Sequence, residues 1–358
     1  MYLLWSKSKI SVDFCSSLLE MIKIKKELFI GIDLGTSFSK IYVKDKGFIK
    51  EVPTVIAINR RNREVIAIGE EAKKMLGRNP INIEVIKPIN FGVVTNFEEA
   101  LYFLEELLKD IKKEYFSILG NILVIGIPLD LTEVQKRGVV DVGLGIGAKK
   151  VYLVEEPIAC ALGANLDIEE AKGILVVDIG GGTTDIALIS LGGIVIGKSI
   201  RIGGDVFNQN IIDYLKNNYE IIIGEGQAEE AKIHVGSILN KNNSFLIKGR
   251  DIFSGLPKEV NFNNEDLRES IYDSLVEIVN QLKDIINLTP PDLLADLGSL
   301  GIFLAGGGSL IEGIDLFLEK EIKIKVNLIE EPKYSVIRGI GKIIEDFGRY
   351  KKLLISEI

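Results

Sequence analysis

The sequence predicts an α/β protein that contains two copies of one structural unit. From position 28 onward, strand-like and helix-like segments alternate along the chain, which is typical of layered α/β folds. A glycine-rich hairpin motif occurs twice, and each copy places an aspartate, Asp33 or Asp178, at the end of a strand. The 358 residues include 36 glycines and only 9 prolines, a balance that suits several tight loops and few chain breaks.

The first half is predicted to begin with two strands around the first motif. Its elements are, in chain order, strands over 29–32 and 41–43 with a loop over 33–40, helices over 70–76 and 98–113, a strand over 122–127, a helix over 132–144 and a strand over 151–154. Thr132 is a good N-cap for the helix that follows it. Pro157 suits the first turn of a further helix.

The second half is predicted to begin in the same way, with two strands around the second motif. Its elements are strands over 173–178 and 185–190, helices over 205–218, 228–238 and 265–286, a strand over 302–304, and a helix from 310. The segment 176–184 echoes the segment 30–37, since both read as strand, aspartate, hydrophobic residue, glycine and small hydroxyl residues. Two matched segments in halves of similar length indicate a duplicated fold.

Composition excludes several classes of function. The hydrophobic fraction of 47% and the charged fraction of 26% are those of a globular chain. A net charge of −8 excludes nucleic acid as an expected partner, because such a field repels phosphate backbones. Two cysteines and a single histidine, His234, exclude a disulfide framework, a structural zinc site and a histidine-based triad. Without a signal-peptide pattern or an apolar run of roughly 18 residues, we expect a cytoplasmic protein.

Residues 1–28 are predicted to form an N-terminal extension. Apolar residues between Phe14 and Ile22 recur at helical spacing, and three lysines follow them. One interpretation is an amphipathic membrane anchor whose lysines meet anionic lipid. The other is an unstructured extension that results from a start codon assigned too early, since Met21 is an equally good first residue.

The three glycine-rich loops have the composition of a phosphate site. Glycines let backbone amides approach an anion, and hydroxyl groups at Thr36, Ser37, Thr183 and Thr184 add donors. Aspartates at the strand ends suit Mg²⁺, which binds through its water shell. The third loop, 306–309, precedes a predicted helix whose N-terminus attracts anions. Any one of these loops is common as an ordinary turn, so the prediction of a nucleotide cleft depends on their combination.

These motifs resemble the actin-like ATPase superfamily and, within it, the bacterial MreB family. The resemblance runs from about 29 to about 344 and is carried by the segments 31–36, 152–157, 177–184, 202–205, 249–251 with 255–257, 289–291 and 303–309. The segments near 249–257 and 289–291 are not generic nucleotide motifs. They therefore favour the MreB family over more distant relatives.

The resemblance implies an actin-like fold of two ribonuclease-H-like domains, each with a small inserted subdomain, and ATP in the cleft between them. Domain I would cover 29–166, with an insertion at about 58–90, and would be completed by about 333–358. Domain II would cover 167–332, with an insertion at about 209–265.

The resemblance also implies roles for individual residues. Asp33 and Asp178 would place Mg²⁺, and Glu156 would polarise the attacking water with Thr183 beside it. From the sequence alone, the carboxylate of Glu156 is better explained as a favourable charge at a helix N-terminus, and only the resemblance favours the catalytic role. The implied nucleotide contacts are Thr36, Ser37, Phe38, Gly181, Gly182 and Thr183 at the phosphates, Glu229, Glu230, Ala231 and Lys232 at the adenosine, and Gly307, Gly308, Ser309 and Leu310 closing the site.

The function implied by the resemblance is a polymerising cytoskeletal ATPase with slow Mg²⁺-dependent hydrolysis. It would assemble with itself, as paired protofilaments, on the inner face of the cytoplasmic membrane, and would organise cell shape and wall synthesis with membrane proteins of wall elongation. Ile118 and Leu119 align with a loop that enters the bilayer in this family; their other interpretation is that they cover the domain's own core. Alternatives are a MamK-like organelle-positioning filament, a kinase or phosphohydrolase of the same fold, and a chaperone or scaffold.

The sequence departs from the family pattern at three positions. Phe38 stands where a small polar residue is usual, and Phe91 and Asn96 stand where acidic residues are usual. These changes concern the geometry of the nucleotide site and the rate of hydrolysis more than the fold.

Overall fold

A computed structural model of the protein describes residues 27–114 and 120–355. The predicted N-terminal extension, apart from its last two residues, and the predicted membrane residues Ile118 and Leu119 lie outside the described residues. Within the described ranges, the helices are too short or too polar to cross a bilayer.

The first half of the chain forms the strands and helices of one α/β unit. In chain order they are β1 (Leu28–Leu34), β2 (Phe38–Val43), β3 (Gly47–Pro53), β4 (Ile56–Asn59), β5 (Val65–Ile68), α1 (Gly69–Met75), β6 (Ile83–Ile86), β7 (Ile89–Asn90), β8 (Val93–Val94), α2 (Phe97–Glu114), β9 (Asn121–Ile127), α3 (Glu133–Gly145), β10 (Ala148–Glu155) and α4 (Glu156–Gly163).

The second half forms a similar series and ends with a helix that returns to the first half. In chain order its elements are β11 (Ile174–Ile179), β12 (Thr184–Ser190), β13 (Gly193–Ile200), α5 (Gly204–Tyr219), β14 (Ile221–Ile222), α6 (Glu225–Val235), β15 (Ser244–Asp251), β16 (Pro257–Asn263), α7 (Asn264–Leu288), α8 (Pro291–Leu300), β17 (Ile302–Ala305), α9 (Ile314–Ile322), β18 (Val326–Leu328), α10 (Ser335–Glu345) and α11 (Phe347–Tyr350).

Each half is built on a five-stranded sheet, and the two sheets share one topology. The strand order is β3-β2-β1-β9-β10 in the first and β13-β12-β11-β17-β18 in the second. In both sheets the first three strands of the chain form an antiparallel meander, and the other two strands run parallel to the first. The repeat in the sequence is therefore a repeat of the fold.

The hairpins at the two motifs are also in the same register. Asp33 pairs with Lys40 across β1 and β2, and Asp178 pairs with Asp185 across β11 and β12. The first loop is consequently shorter than the predicted 33–40, because both ends of that segment are paired within the sheet. Only 35–37 remain outside the two strands.

Each half also carries a small three-stranded sheet. The strands β5-β4-β6 lie between β3 and the helix α2, and the strands β14-β15-β16 lie between α5 and α7. These small sheets fall close to the predicted insertions at 58–90 and 209–265. The boundaries of domains I and II stay a prediction.

A shared apolar core connects the two halves. It combines buried side chains of the first sheet, such as Val124 and Val154, with Val176 and Ala187 of the second and with residues of α4 and α10. Helices α4 and α10 approach each other so closely that a Cβ atom at Gly339 would overlap the backbone of α4. Since α4 begins at Glu156, this contact helps to fix the position of that residue.

Two helix ends show where local sequence signals succeed and fail. Thr132 caps α3 as predicted, accepting a hydrogen bond from the backbone N–H of Gln135 in a capping box. The predicted helix from 310 is wrong. The chain instead makes a short 3₁₀ turn over Gly307–Leu310, and α9 begins only at Ile314. Gly313 separates the two with a φ of 97°, a value outside the helical region.

Candidate functional site

A cavity of about 380 Å³ lies between the two halves, where the matched hairpins face each other. It is lined by residues of both hairpin loops, the helices α5 and α6, and the loop that follows β17. Most of the predicted site residues line it: Asp33, Thr36, Ser37, Phe38, Glu156, Asp178, Gly181, Gly182, Thr183, Glu229, Lys232, Gly307, Gly308 and Leu310.

Three predicted nucleotide contacts lie outside the lining of this cavity. Ala231 is fully buried in the apolar core of the second half. Ser309 is buried, and its hydroxyl donates to the carbonyl oxygen of Gly306 at 2.7 Å. Glu230 is exposed on α6, and its carbonyl oxygen lies 2.8 Å from Nδ1 of His234. The 3₁₀ turn at 307–310 also means that the expected α-helix N-terminus does not form at the third loop.

The two hairpin loops approach each other so closely that only glycine fits in the second one. A Cβ atom at Gly181 would overlap the hydroxyl of Ser37, and one at Gly182 would overlap the hydroxyl of Thr36. The Thr36 hydroxyl also accepts a hydrogen bond from the backbone N–H of Gly92 at 3.1 Å. The backbone amides and hydroxyls of both loops are thus brought together at one place in the cleft, which suits a phosphate chain.

Buried carboxyl groups gather at the floor of the cleft. Asp33 and Asp178 are each 5% exposed. Burial, with the neighbouring carboxylates Asp185 and Asp33, raises the pKa of Asp178 to about 7. Burial likewise raises the pKa of Asp185 to about 6, although it accepts a hydrogen bond from the backbone N–H of Leu129 at 2.7 Å. Burial and the same acidic neighbours raise the pKa of Glu156 well above its usual value.

This donor set fits a hydrated divalent cation. Four carboxyl groups interact with one another here, those of Asp33, Glu156, Asp178 and Asp185, whereas Lys40 supplies a single positive charge among them. No group of three or more acidic, histidine or cysteine side chains among the described residues is arranged to hold a metal ion alone. Magnesium keeps several waters and commonly takes one or two carboxylates together with substrate phosphates, so Asp33 and Asp178 suit it in that way.

The side of the cleft formed by α5 and α6 is held by a small polar network. The Glu229 carboxylate accepts hydrogen bonds from Asn208 Nδ2 at 2.7 Å and from Lys232 Nζ at 2.8 Å. Lys232 also donates to the carbonyl oxygen of Gly204 at 2.9 Å. Burial raises the pKa of Glu229, but Lys232 and Asn208 more than offset it, and the pKa lies below its usual value. These contacts fix the two helices relative to each other before a ligand binds.

Several residues of the cleft were missed by the sequence analysis. Lys40 lines it and pairs with Asp33. Lys73 and Lys333 also line it, and their ammonium groups lie 4.7 Å and 4.4 Å from the centre of the Phe38 ring. The spacing of Lys40 seven residues after Asp33 could have predicted the first pair, because it matches a cross-strand position in a short hairpin. The two other lysines lie far from Phe38 in the sequence and left no such signal.

The chain matches a known protein family over most of its length. The profile of the MreB/Mbl protein family matches residues 27–352. The chain belongs to the MreB/Mbl family. Among the family's characterised members, the cell shape-determining protein Mbl of Bacillus cereus is 40% identical over 329 residues, which is 90% of this chain and 97% of Mbl.

Solved structures of related proteins show the same actin-like fold. MreB5 of Spiroplasma citri bound to ADP is 33% identical, with a TM-score of 0.86 over 92% of this chain and 99% of MreB5. The same protein bound to AMPPNP gives a TM-score of 0.85 at 32% identity, over 91% and 98% of the two chains. The MamK double helical filament matches at 21% identity with a TM-score of 0.76, over 89% of this chain and 99% of that one, which shows the fold alone.

The three positions predicted to depart from the family pattern have different surroundings. The ring of Phe38 lies between two lysines of the cleft, as described above. Phe91 has a positive φ of 49°, and the guanidinium of Arg201 lies 5.5 Å from the centre of its ring. Phe91 therefore meets a cation of the second half as an acidic residue would. Asn96 is exposed just before α2, and its carbonyl oxygen accepts the N–H of Ala100.

Proposed function

We propose that this member of the MreB/Mbl family is a filament-forming protein that binds ATP with Mg²⁺ in the cleft and hydrolyses it slowly. The single observation that carries the proposal is the pair of facing glycine loops with Asp33 and Asp178 at their bases. MreB5, which shares the fold at 33% identity, is bound to ADP or AMPPNP in its crystal structures. A nucleotide in this cleft would touch both halves at once, so its phosphates would tie them together.

In this proposal, hydrolysis depends on neutralisation of the phosphate charge and on the orientation of the attacking water. Thr36, Ser37 and the amides of Gly181 and Gly182 would hold the phosphate oxygens. Mg²⁺ held at Asp33 and Asp178 would supply further neutralisation of phosphate charge. Glu156 begins α4 and lines the cleft. We infer that its carboxyl group accepts a hydrogen bond from the attacking water. Thr183 would orient the same water through its hydroxyl.

The cellular part of the proposal is a cytoplasmic polymer that assembles with copies of itself, as paired protofilaments, on the inner face of the cytoplasmic membrane. It is supported by the relationship to cell shape-determining Mbl. We infer that wall-elongation membrane proteins are its further partners. Ile118 and Leu119 are the proposed membrane contact, and they lie outside the described residues.

Nucleotide binding and electron microscopy test this function together. The purified chain should bind a fluorescent ATP analogue with Mg²⁺ and form ordered filaments with ATP. Gly182→Ala should weaken binding by at least tenfold, because its new methyl group overlaps Thr36. Gly348→Ala is the matched control, since a Cβ atom there meets no neighbouring atom within 4 Å.

The outcomes separate the candidate functions. Binding without filaments across salt and nucleotide conditions would favour a non-polymerising kinase or phosphohydrolase of the same fold. Filaments that leave cell shape unchanged when the protein is depleted would favour a MamK-like positioning role. Equal binding by Gly182→Ala and Gly348→Ala would contradict the placement of the phosphates between the two loops.

A further inference from the structure

Lys87 forms a contact that crosses the cleft from one half of the molecule to the other. It lies between β6 and β7 in the first half. Its ammonium group is 2.9 Å from Oδ2 of Asp205 and 2.6 Å from Oε1 of Glu225. The two carboxylates belong to the first turns of α5 and α6 in the second half. A single lysine thus joins the first half to two helices of the second.

The surroundings of this cluster make it stronger than an ordinary surface ion pair. The side chains of Lys87 and Asp205 are each 22% exposed, and that of Glu225 is 39% exposed. Burial lowers the pKa of Lys87, but Asp205 and Glu225 together raise it by more, so this pKa lies above its usual value. Partly buried charged hydrogen bonds are screened less by solvent than exposed ones.

Asp205 connects the cluster to both phosphate loops. Its other carboxylate oxygen accepts a hydrogen bond from the Ser37 hydroxyl at 3.4 Å. Its backbone N–H donates to the carbonyl oxygen of Gly181 at 2.8 Å. A change in the position of Asp205 therefore reaches the first loop through Ser37 and the second loop through Gly181.

Glu225 connects the cluster to helix α6, on the same side of the cleft as α5. It begins α6, and the same helix carries Glu229 and Lys232, which line the cavity. Nearby, the contact between Phe91 and Arg201 also crosses from the first half to the second. The ion cluster and this aromatic contact lie on residues that would have to separate if the cleft opened at this side.

We propose that Lys87 is a positioning residue for the nucleotide site: acting through Asp205 and Glu225, it holds the cleft closed and slows the release of bound nucleotide. This inference depends on the proposed function, because it needs a nucleotide in the cleft. A ligand held between the two halves leaves only when they separate, and separation here breaks both ion pairs of Lys87. The lysine touches neither phosphate loop itself, so its effect passes through the two carboxylates.

Release of a fluorescent ADP analogue, chased with excess ATP in a stopped-flow instrument, tests the proposal. Lys87→Met should raise the release rate by about tenfold, the change that corresponds to loss of one charge-assisted hydrogen-bond network. Lys109→Met is the matched control. It removes a lysine that pairs with Glu106 along the exposed face of α2, and it should leave the release rate within twofold of the wild type.

Rescue and salt separate positioning from a general loss of stability. Lys87→Glu should release faster still, because three carboxylates then converge, and adding Glu225→Lys should restore most of the slow release. A variant that was merely unstable would not recover in this way. High salt should speed release from the wild type more than from Lys87→Met, since only the wild type retains the ion pairs.

The outcomes distinguish this proposal from the proposed function. If Lys87→Met and Lys109→Met release nucleotide at the same rate, the positioning role is overturned while the nucleotide site stands. If the wild type binds no nucleotide, the proposed function fails, and the positioning role fails with it. If Lys87→Met does not fold, Glu225→Gln decides by the same criterion, with an expected increase of about threefold.

Discussion

Lys40 and Asp33 lie opposite each other on neighbouring strands, and Nζ of Lys40 is 2.7 Å from Oδ2 of Asp33. Their side chains are 9% and 8% exposed. In the second hairpin the same two positions hold Asp178 and Asp185, so two carboxylates face each other there. The duplicated hairpins therefore share a backbone register but differ in charge, since an aspartate faces a lysine in the first and another aspartate in the second. This difference affects the stability of the protein and the way that stability depends on pH.

Lys40→Met should destabilise the nucleotide-free protein by about 3–5 kcal/mol, because it leaves the buried Asp33 without its cation. Urea unfolding at pH 7 measures this change in the free energy of unfolding. The double variant Lys40→Met with Asp33→Asn should recover most of the loss, since it removes the unpaired charge as well. Equal stability of Lys40→Met and the wild type would show that Asp33 finds other compensation.

The second hairpin predicts a stability that falls as pH rises. The folded-state pKa is about 7 for Asp178 and about 6 for Asp185, whereas an unfolded aspartate has a pKa near 3.9. Between about pH 4 and pH 7 the folded protein therefore binds more protons than the unfolded chain, and raising the pH disfavours folding. The slope reaches at most about 1.4 kcal/mol per pH unit for each group.

Thermal unfolding of the nucleotide-free protein at pH 5, 6, 7 and 8 checks this pH dependence, and Mg²⁺ is left out of the buffer. Asp178→Asn should flatten the decline between pH 5 and pH 7 and should be more stable than the wild type at pH 8. Parallel curves for the two proteins would contradict a raised pKa at Asp178.

The proposed role of Glu156 predicts a separation between binding and hydrolysis. Glu156→Ala should keep ATP bound but lower phosphate release by roughly 10²-fold, because the attacking water loses its orienting group. Single-turnover phosphate release measures the effect. Glu155→Ala is the control, since this neighbouring glutamate does not line the cleft. Unchanged turnover in Glu156→Ala would remove it from the mechanism.

Features that depend on neighbouring residues, such as hairpins and helix starts, could mostly be predicted from the sequence. Contacts between residues far apart in the chain could not. Repeated strand, aspartate and glycine segments were enough to predict two matched hairpins, and Thr132 was enough to predict the start of α3. The meeting of Lys87 with Asp205 joins positions 118 residues apart, and no local pattern encodes it. The prediction of a helix from 310 was wrong for a local reason. Gly313 has a backbone conformation outside the helical region, and the hydrophobic pattern of its neighbours does not indicate this.

Two glycines with different surroundings, one at the contact between α4 and α10 and one in α3, predict substitution effects of opposite sign on stability. Gly339→Ala should destabilise the protein by about 1–3 kcal/mol, because its methyl group overlaps the backbone of Ala159. Gly138→Ala, at a position in α3 where a Cβ atom meets nothing within 4 Å, should stabilise by about 0.5–1 kcal/mol. Urea unfolding of both variants provides the measurement. If Gly339→Ala did not destabilise the protein, the packing of α4 against α10 would have to be looser than the structure indicates.

Membrane binding is expected to depend on Ile118 and Leu119, between the end of α2 and the start of β9. Insertion of each side chain would contribute about 1.5–3 kcal/mol, which is weak for one subunit but is multiplied by avidity along a filament. In liposome co-sedimentation, Ile118→Ser with Leu119→Ser should release filaments from anionic vesicles. Deletion of residues 1–20 should release them only in part, because the N-terminal apolar face would be a second contact.

A matched double variant makes the membrane result specific. Val134 and Leu144 are exposed apolar residues of α3, 81% and 41% exposed, and changing both to serine removes similar apolar surface. That variant should pellet with vesicles as the wild type does. If Ile118→Ser with Leu119→Ser also pellets like the wild type, these two residues cover the protein's own core instead, and any membrane contact must come from the N-terminal extension. If it fails to fold, the same conclusion about the core follows, because loss of a lipid contact alone does not unfold the chain.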